Sequence, residues 1–472
     1  MPQPVRPRPR TAAPAAAAPH GGQGSPTRRP GATLAITSAA TAVALMNYTA
    51  PMATLPGVSA ALATPPSGQA WLLNGAPLGL AVVLLVAGSL ADDYGRRRLF
   101  LAGTLALGLT SGLGVLAHDT LTFTLARVAQ GAASAAILAT SLGLLVGAFP
   151  AGHERIRATG VWGAFVSAGI ALGPLLAGWL GPFDWRLPYA VLGLAALAAA
   201  AVAARVLDES RSPRGGRPDL AGAAVLGTSM TALLTALTLG RDGWARPAVV
   251  LPLLASFALV PVFLAVERRA AAPLIDPALL RGRPFLASAA GGLFTGLSVI
   301  GLFSYLPTLL QRSLGVSSLG SAWLLLIWSG SAFAVALQAR RLTGRVAARR
   351  QAAAGFVLHA AGALVLLGTL DPGGHLGGEE WLRLLPALVV SGAGSGLLNA
   401  ALPRLAIESV PQERAAMGSG ANNTARYIGS SAGVAVTIAV AATGWGADGA
   451  LLLSVGLALV ATAALRLLRE RG

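Results

Sequence analysis

The segment Gly88–Arg98 reads GSLADDYGRRR and joins two long apolar runs through a few charged residues. Gly95 can supply the tight turn that so short a connection needs. Asp92 can accept hydrogen bonds from exposed amides at a helix N-terminus, or pair with Arg96 or Arg97. The alternative interpretation is an ordinary cluster of basic residues flanking a membrane span, and the spacing alone leaves both open.

The composition of the whole chain is that of a membrane protein. Hydrophobic residues make up 54% of the 472 residues and charged residues 11%, and the mean hydropathy is +0.66. A soluble domain carries about 25% charged residues, so this chain has too few charges for a surface that faces water. The net charge of +17 comes from 35 arginines, without any lysine, against 18 acidic residues. Such an excess suggests nucleic acid in a soluble protein, but in a membrane protein it is typical of cytoplasmic loops.

Several classes of site are excluded by residue type. The chain has no cysteine, and its five histidines are scattered without metal-ligand spacing. Without lysine it cannot form a phosphate-binding loop of the Walker type. No cluster of His, Asp or Glu marks an enzyme that acts on lipids. We therefore expect no metal, cofactor, nucleotide or nucleic acid, and no enzyme activity.

Apolar segments of about 20 residues recur along the chain, each long enough to cross a bilayer as a helix. They are continuous and lack the period-two alternation of β-barrel strands. We predict fourteen spans, at 33–56, 71–91, 99–117, 121–148, 156–180, 187–207, 220–240, 247–266, 285–310, 318–338, 351–370, 381–403, 415–441 and 448–466. With a cytoplasmic N-terminus, the tails and cytoplasmic loops hold 28 arginines and the external loops five. This bias predicts that both termini are cytoplasmic.

An internal repeat predicts the domain organisation. Residues 149–160 and 410–418 share a spaced pattern of Pro, Glu-Arg and Gly, after the fourth and the twelfth span. Two parallel six-helix halves are typical of transporters that bind substrate between them. We expect a disordered cytoplasmic tail (1–32), an N-terminal bundle (33–207), a linker with two inserted helices (208–284), a C-terminal bundle (285–467) and a short tail (468–472).

Polar residues inside the spans are the candidates for a transport site. Arg127, Gln130, Gly131 and Ser134 share one face of the fourth span, and an arginine at this depth favours a polar interior. The alternative is that Arg127 extends to water at the outer boundary. The candidates for a central cavity are polar groups on otherwise apolar helices, although each alone is more often an interhelical hydrogen bond. They are Tyr48, Ser134, Tyr305, Asn399, Asn422, Asn423 and Arg426.

The fifth span carries Gly169, Gly173, Pro174 and Gly178. Glycines four residues apart allow close helix approach, and an interior proline kinks a helix. Packing alone explains this pattern as well as a functional role does.

Together these motifs resemble those of the major facilitator superfamily, and of its fourteen-helix drug:proton antiporters in particular. Gly88, Asp92, Gly95, Arg96 and Arg97 match the loop that acts there as a conformational latch on the cytoplasmic side, although Asp93 stands where a basic residue is usual. The motif around Arg127 and Gln130 resembles one associated with proton transfer. The glycines and proline of the fifth span resemble the antiporter signature, which favours export.

Met46–Pro56 resembles a further motif of these antiporters, with Asn47 at the position of an aspartate. The resemblance implies an all-α membrane transporter in the plasma membrane of a prokaryote, expected to be a monomer. It would export an amphipathic small molecule, a drug or antibiotic, in exchange for protons by alternating access, with Arg127, Gln130 and Asn47 at the coupling site. Because Asn47 cannot carry a proton, a uniporter or non-proton exchanger of a small organic metabolite is the alternative.

Overall fold

The computed structural model describes residues 29–65, 68–150, 153–209, 219–239, 245–270, 273–274, 279–339, 345–370, 378–410 and 415–468. Throughout these residues the regular secondary structure is helical. The predicted tails 1–32 and 468–472 lie outside the described residues apart from their inner ends, and so do parts of the predicted linker 208–284.

The N-terminal half contains seven helices among the described residues. They are α1 (Pro30–Thr49), α2 (Pro51–Ala61), α3 (Gln69–Tyr94), α4 (Arg96–Val115), α5 (Thr120–Ala148), α6 (His153–Leu180) and α7 (Leu187–Val206). Proline in the first turn begins α1, α2 and α7, where its missing N–H is not needed. Asp119 caps α5 by accepting a hydrogen bond from the Thr122 amide at 2.8 Å, and the same bond lowers the pKa of the Asp119 carboxyl.

The rest of the chain forms an inserted helix pair and a C-terminal half. The pair consists of α8 (Leu220–Leu239) and α9 (Pro247–Arg269). After a 3₁₀ turn (Leu279–Arg281), the C-terminal half contains α10 (Arg283–Phe294), a π-helical segment (Thr295–Ile300), α11 (Gly301–Leu314), α12 (Ser318–Ala339), α13 (Ala348–Val365), α14 (Gly378–Glu408), α15 (Ala415–Ala441) and α16 (Gly446–Leu467).

Helices overlap each of the fourteen predicted spans. Among the described residues, ten helical stretches are long and apolar enough to cross a membrane, and the others are shorter or more polar. The first predicted span is broken at Ala50, and the ninth continues through the π-helical segment. That all fourteen cross the membrane stays a prediction.

The helix pairings repeat between the two halves. In the N-terminal half α5 packs against α3 and α4, α1 against α6, and α4 against α7. In the C-terminal half α14 packs against α12 and α13, α10 and α11 against α15, and α13 against α16. When the spans of each half are numbered from one to six, the same pairs are in contact in both halves: the fourth with the second and third, the first with the fifth, and the third with the sixth. The halves meet where α3 contacts α15 and where α6 contacts α12.

The inserted pair α8–α9 packs on the outside of this assembly. The two helices contact each other extensively, and α8 also contacts α3 and α15. Leu233 lies at a small crevice between these three helices, and the Leu254 side chain on α9 is 60% exposed. The pair therefore covers one seam between the halves, while the α6–α12 seam on the other side leads into a cavity.

Candidate functional site

A large cavity lies between the two halves and has a volume of about 620 Å³. Ligand sites for small organic molecules have volumes of about 300–1,000 Å³. The cavity wall reaches the second turn of α6 at Gly160, the last residue of α12 at Ala339, and Arg404 near the end of α14. These positions lie at the end of the bundle that carries Gly88–Arg98, which we call the arginine-rich end. The cavity is therefore approached from that end.

At the opposite end the two halves touch. The Gln311 side-chain amide on α11 donates to the Ala53 carbonyl on α2 at 2.9 Å, and Arg312 donates to the Gln69 side chain at 3.3 Å. Gly178 on α6 packs on the first turn of α12, where a Cβ would lie 2.9 Å from the Ser318 carbonyl oxygen. These contacts join the halves and close the cavity at the end opposite the arginine-rich end.

The apolar part of the cavity wall is largely aromatic. Phe303 and Trp328 stack with ring centroids 4.2 Å apart, and Trp162 and Phe333 also line the wall. Trp162 donates its indole N–H to Thr41 at 3.1 Å, and Trp328 donates to Ser391 at 3.2 Å. Neither partner lines the cavity, so both indole N–H groups are used behind the wall. The two tryptophans therefore offer ring surface to a ligand.

The polar part of the wall comes from both halves. Tyr48 extends from α1, its hydroxyl lies 3.2 Å from the Ser430 hydroxyl on α15, and its ring meets Tyr427 edge-on with centroids 6.0 Å apart. Asn423 and Arg426 line the wall from α15, and Asn399 lines it from α14. Four of the seven predicted cavity residues thus surround one space, and they are Tyr48, Asn399, Asn423 and Arg426.

The other three candidates do not line the cavity. Asn422 is buried between α15 and α10. Its side-chain amide donates a hydrogen bond to the Ser288 carbonyl of α10 at 2.7 Å. Tyr305 is buried and accepts a hydrogen bond from Arg312 at 3.2 Å, near the closed end. Ser134 is buried inside the N-terminal half. For these residues the helix packing, which the sequence pattern does not contain, decides which side faces the cavity.

Arg127 is the centre of a buried hydrogen-bond network beside the cavity. The side chain is 0% exposed, which excludes extension to water. Its Nη1 donates to the Asn47 side-chain oxygen at 2.6 Å, the Asn47 carbonyl at 2.8 Å and Gln130 at 2.6 Å, and its Nη2 donates to the Tyr48 carbonyl at 3.2 Å. The Asn47 carbonyl is free because Pro51, four residues later, has no N–H to donate.

The network continues to α4 and holds both amides in a fixed orientation. Asn47 donates its side-chain N–H to the Ser111 hydroxyl at 3.0 Å, and Gln130 donates to the Thr110 carbonyl at 3.1 Å. Arg127 and these two amides therefore connect α1, α4 and α5. The three residues expected at the coupling site, Arg127, Gln130 and Asn47, are buried behind the cavity wall, and Tyr48 extends from the network into the cavity. Their role in coupling stays a prediction.

The latch segment packs within the N-terminal half. Gly95 has φ +110°, a conformation that favours glycine, and a Cβ there would lie 2.5 Å from the Glu209 carboxylate. Glu209 accepts a hydrogen bond from the Arg97 amide at 3.1 Å, and Arg96 donates to the Gly143 carbonyl at 3.2 Å. Gly88 faces open space, and the Asp92 side chain lies outside the described part.

The glycines of the fifth span are packing positions. A Cβ on Gly169 would lie 2.6 Å from the Ala42 carbonyl oxygen of α1, and one on Gly173 would meet Thr49 of the same helix. Pro174 lies inside α6 and lines the cavity. The motif therefore holds α6 against α1 through Gly169 and Gly173, and against α12 at the closed end through Gly178.

The family model of the Major Facilitator Superfamily matches residues 37–434 of the chain. The chain belongs to the major facilitator superfamily. It is a multi-pass membrane transporter and not an enzyme.

Curated relatives of this superfamily member are bacterial transport and resistance proteins. The chain is 32% identical to a probable actinorhodin transporter of Streptomyces coelicolor over 449 residues, which covers 90% of this chain and 76% of the relative. It is also 32% identical to the multidrug resistance protein Stp of Mycobacterium tuberculosis over 392 residues, 81% of this chain and 70% of the relative. Bacterial relatives and many apolar helices imply a prokaryotic plasma membrane.

The solved structures agree on the fold. A peptide transporter, crystallised in complex with sulfate, superposes with a TM-score of 0.70 at 15% sequence identity and covers 94% of this chain and 95% of its own. At this identity the similarity shows the major facilitator architecture alone.

Some site residues were not predicted from the sequence. The sequence did not predict the aromatic residues of the cavity wall, because aromatic residues in apolar spans also face lipid or the protein core. They are Phe303, Trp328, Trp162 and Phe333. Pro51 did carry a readable signal, since a proline four residues after Asn47 frees that residue's carbonyl for another donor.

Proposed function

We propose that this transporter exports an amphipathic small molecule, a drug or antibiotic, by alternating access and in exchange for protons. The observation that carries the proposal is the cavity, which lies between two equivalent halves, extends to the arginine-rich end and is closed at the other. The relatives, named for antibiotic transport and multidrug resistance, support an organic substrate of this class.

The orientation follows from the charge distribution. If the arginine-rich end is cytoplasmic, as the positive-inside rule requires, the cavity is in the state that loads substrate from the cell interior. With fourteen spans, both termini would be cytoplasmic and α8 and α9 would lie outside the two-fold repeat. Release outside requires the Gln311–Ala53 and Arg312–Gln69 contacts to break while the arginine-rich end closes. We propose that a monomer carries out this cycle.

The Arg127 network supports the coupling step. Arg127 holds the backbone of Asn47 and Tyr48 at the break between α1 and α2, and the Tyr48 side chain reaches the cavity and the opposite half. A change at Arg127 is thereby passed to a residue that contacts substrate and bridges both halves. The coupling proton would come from the substrate or from a carboxylate at a helix end.

A uniporter, or an exchanger that does not use protons, is the second candidate. Every carboxylate on the described helices lies near a helix end, and none lines the cavity or contacts Arg127 among the described residues. Asn47 occupies the position where a proton carrier would be expected. This arrangement favours transport without a protonatable group in mid-membrane.

Everted membrane vesicles test the function and separate the two candidates. Uptake of carboxyfluorescein (anionic) and rhodamine 6G (cationic) is measured under a pH gradient alone and under a membrane potential alone. Nigericin collapses the pH gradient, and valinomycin collapses the membrane potential. If transport is proton exchange, a probe accumulates in the vesicles and nigericin abolishes this accumulation. Accumulation that survives nigericin but not valinomycin indicates a uniporter, and equal uptake in vesicles without the protein contradicts export.

A further inference from the structure

We infer that the cavity selects an aromatic organic anion, with Arg426 as the group that binds its charge. The inference deepens the proposed function, since it assigns the substrate class of the same cavity. It rests on the charge of the wall, on the hydrogen bonds that the wall residues leave free, and on the placement of the aromatic rings.

The charge of the wall has one sign. Of the thirty described residues that line the cavity, only Arg404 and Arg426 are charged, and none of the thirty is acidic. Arg404 lies at the mouth, and its Nε is 2.7 Å from the Glu408 carboxylate, so this charge is already compensated. Arg426 is half-buried and forms no hydrogen bond or ion pair with any described residue. It is therefore the uncompensated charge inside the cavity.

An arginine in this position needs an anion. Its guanidinium carries a positive charge and offers five N–H donors. Inside a cavity with low-dielectric walls, a charge of one sign attracts counter-ions and repels ions of its own sign. A cationic substrate would here meet a fixed positive charge without any carboxylate among the lining residues to offset it. A carboxylate, sulfonate or ionised phenol would form charge-assisted hydrogen bonds instead.

The neighbours of Arg426 can complete such a site. Asn423 lies three residues earlier on the same helix, and Asn399 faces the cavity from α14; neither side-chain amide bonds to a described residue. The Tyr48 hydroxyl lies 3.2 Å from the hydroxyl of Ser430, which is about one helical turn after Arg426 on α15. Two amides and a hydroxyl can donate to the oxygens of an anion that the guanidinium holds.

The rest of the wall accepts an aromatic body. Trp162 and Trp328 line the cavity while their N–H groups are bonded behind it, and Phe303 stacks on one face of Trp328. Aromatic scaffolds gain more from such walls than flexible aliphatic chains, because flat rings stack on them without losing rotational freedom. A volume of about 620 Å³ suits a molecule of several fused or linked rings.

An anionic substrate also relieves the lack of a proton carrier. Export moves a negative charge out of a cell whose interior is electrically negative, so the membrane potential drives the step directly. For a monoanion this is equivalent to an accumulation ratio of about 50-fold per 100 mV. This driving force adds to that of proton exchange, and by itself it would suffice for the uniporter that is the second candidate.

Binding to the purified protein in nanodiscs, without any gradient, tests the inference apart from transport. The probes are 9-anthracenecarboxylate, 9-anthracenemethanol and 9-anthracenemethylammonium, which share one ring system and differ in charge; tryptophan-to-anthracene energy transfer reports binding. We expect the carboxylate to bind about 10- to 100-fold more tightly than the ammonium compound. Arg426→Gln should remove this preference and Arg426→Lys should keep most of it. Arg383→Gln, the same change at an exposed arginine of α14, should have no effect.

Equal or tighter binding of the ammonium probe by the unmodified protein overturns the inference, without relying on any variant. A carboxylate preference that persists in Arg426→Gln overturns the assignment to Arg426, as does no binding of any probe up to its solubility. Because binding is measured without transport, anion-selective binding by a protein that fails in vesicles would reject export alone. Export of cations together with weak anion binding would reject the substrate class alone.

Discussion

Replacing Arg127 by alanine removes the donor that four buried or backbone oxygens share. Asn47 and Gln130 cannot turn to other donors, because their N–H₂ groups are bonded to α4. The Asn47 carbonyl has no helical donor because residue 51 is proline. Three of the four oxygens therefore stay unpaired, at about 1–3 kcal/mol each. The alanine variant no longer carries the cost of burying a charge, which offsets several kcal/mol of this loss. We therefore expect the free energy of unfolding to fall by about 2–4 kcal/mol.

The functional loss should exceed the loss of stability. Arg127→Ala should still reach the membrane but lose pH-driven efflux, because the Tyr48 backbone is no longer held. Arg127→Lys should recover little, since a compact ammonium cannot reproduce the guanidinium contacts to both helices. Thermal unfolding in nanodiscs and vesicle efflux are measured on the same preparations, with Arg383→Ala as the exposed control. If Arg127→Ala keeps its melting temperature and full pH-driven efflux, the coupling role of this network is wrong.

Three further predictions concern the closed end, the latch and the inserted helices. Gln311→Ala removes one hydrogen bond between the halves, so it should shift the equilibrium toward the outward-open state by about 2- to 12-fold. Cysteine accessibility measures this equilibrium, and an unchanged equilibrium would show that the contact is not a gate. Gly95→Ala should cut turnover through backbone strain, and Asp92→Asn should lower turnover with little loss of substrate affinity; a large loss of affinity at normal turnover would contradict the latch. Cysteines introduced at Leu233 or Leu254 should label equally with and without substrate, and protection at both would place the insert on the transport path.

The positions of the helices could be predicted because membrane spans have a simple requirement. A run of about 20 apolar residues must form a helix to satisfy its backbone, so predicted spans 187–207 and 247–266 agree with α7 (Leu187–Val206) and α9 (Pro247–Arg269) within a few residues. The break at Ala50 and the π-helical segment Thr295–Ile300 were not predicted, because a run of apolar residues marks a span without marking interruptions in its helical hydrogen bonding. Pro51 was the available sign of the first.

The site was predicted only in part, for a geometric reason. Asn422 and Asn423 are neighbours in sequence but lie about 100° apart around the helix, so one bonds to α10 and the other faces the cavity. Periodicity identifies a polar face without telling whether a cavity or another helix lies against it. Arg127 shows the same ambiguity, since its polar face predicted a polar interior, and in the structure Gln130 on that face is its hydrogen-bond partner.

The most direct test of the account is whether the two ends of the α6–α12 seam move in opposite directions. Because the chain contains no cysteine, spin labels can be placed without any background substitution. One pair at Trp179 and Trp323 reports the closed end, and one at Arg157 and Gln338 reports the arginine-rich end; all four side chains are exposed. Double electron–electron resonance in nanodiscs, across pH values and with added probe, should show populations in which the first distance lengthens as the second shortens. Distances that stay fixed, or that lengthen together, would contradict alternating access.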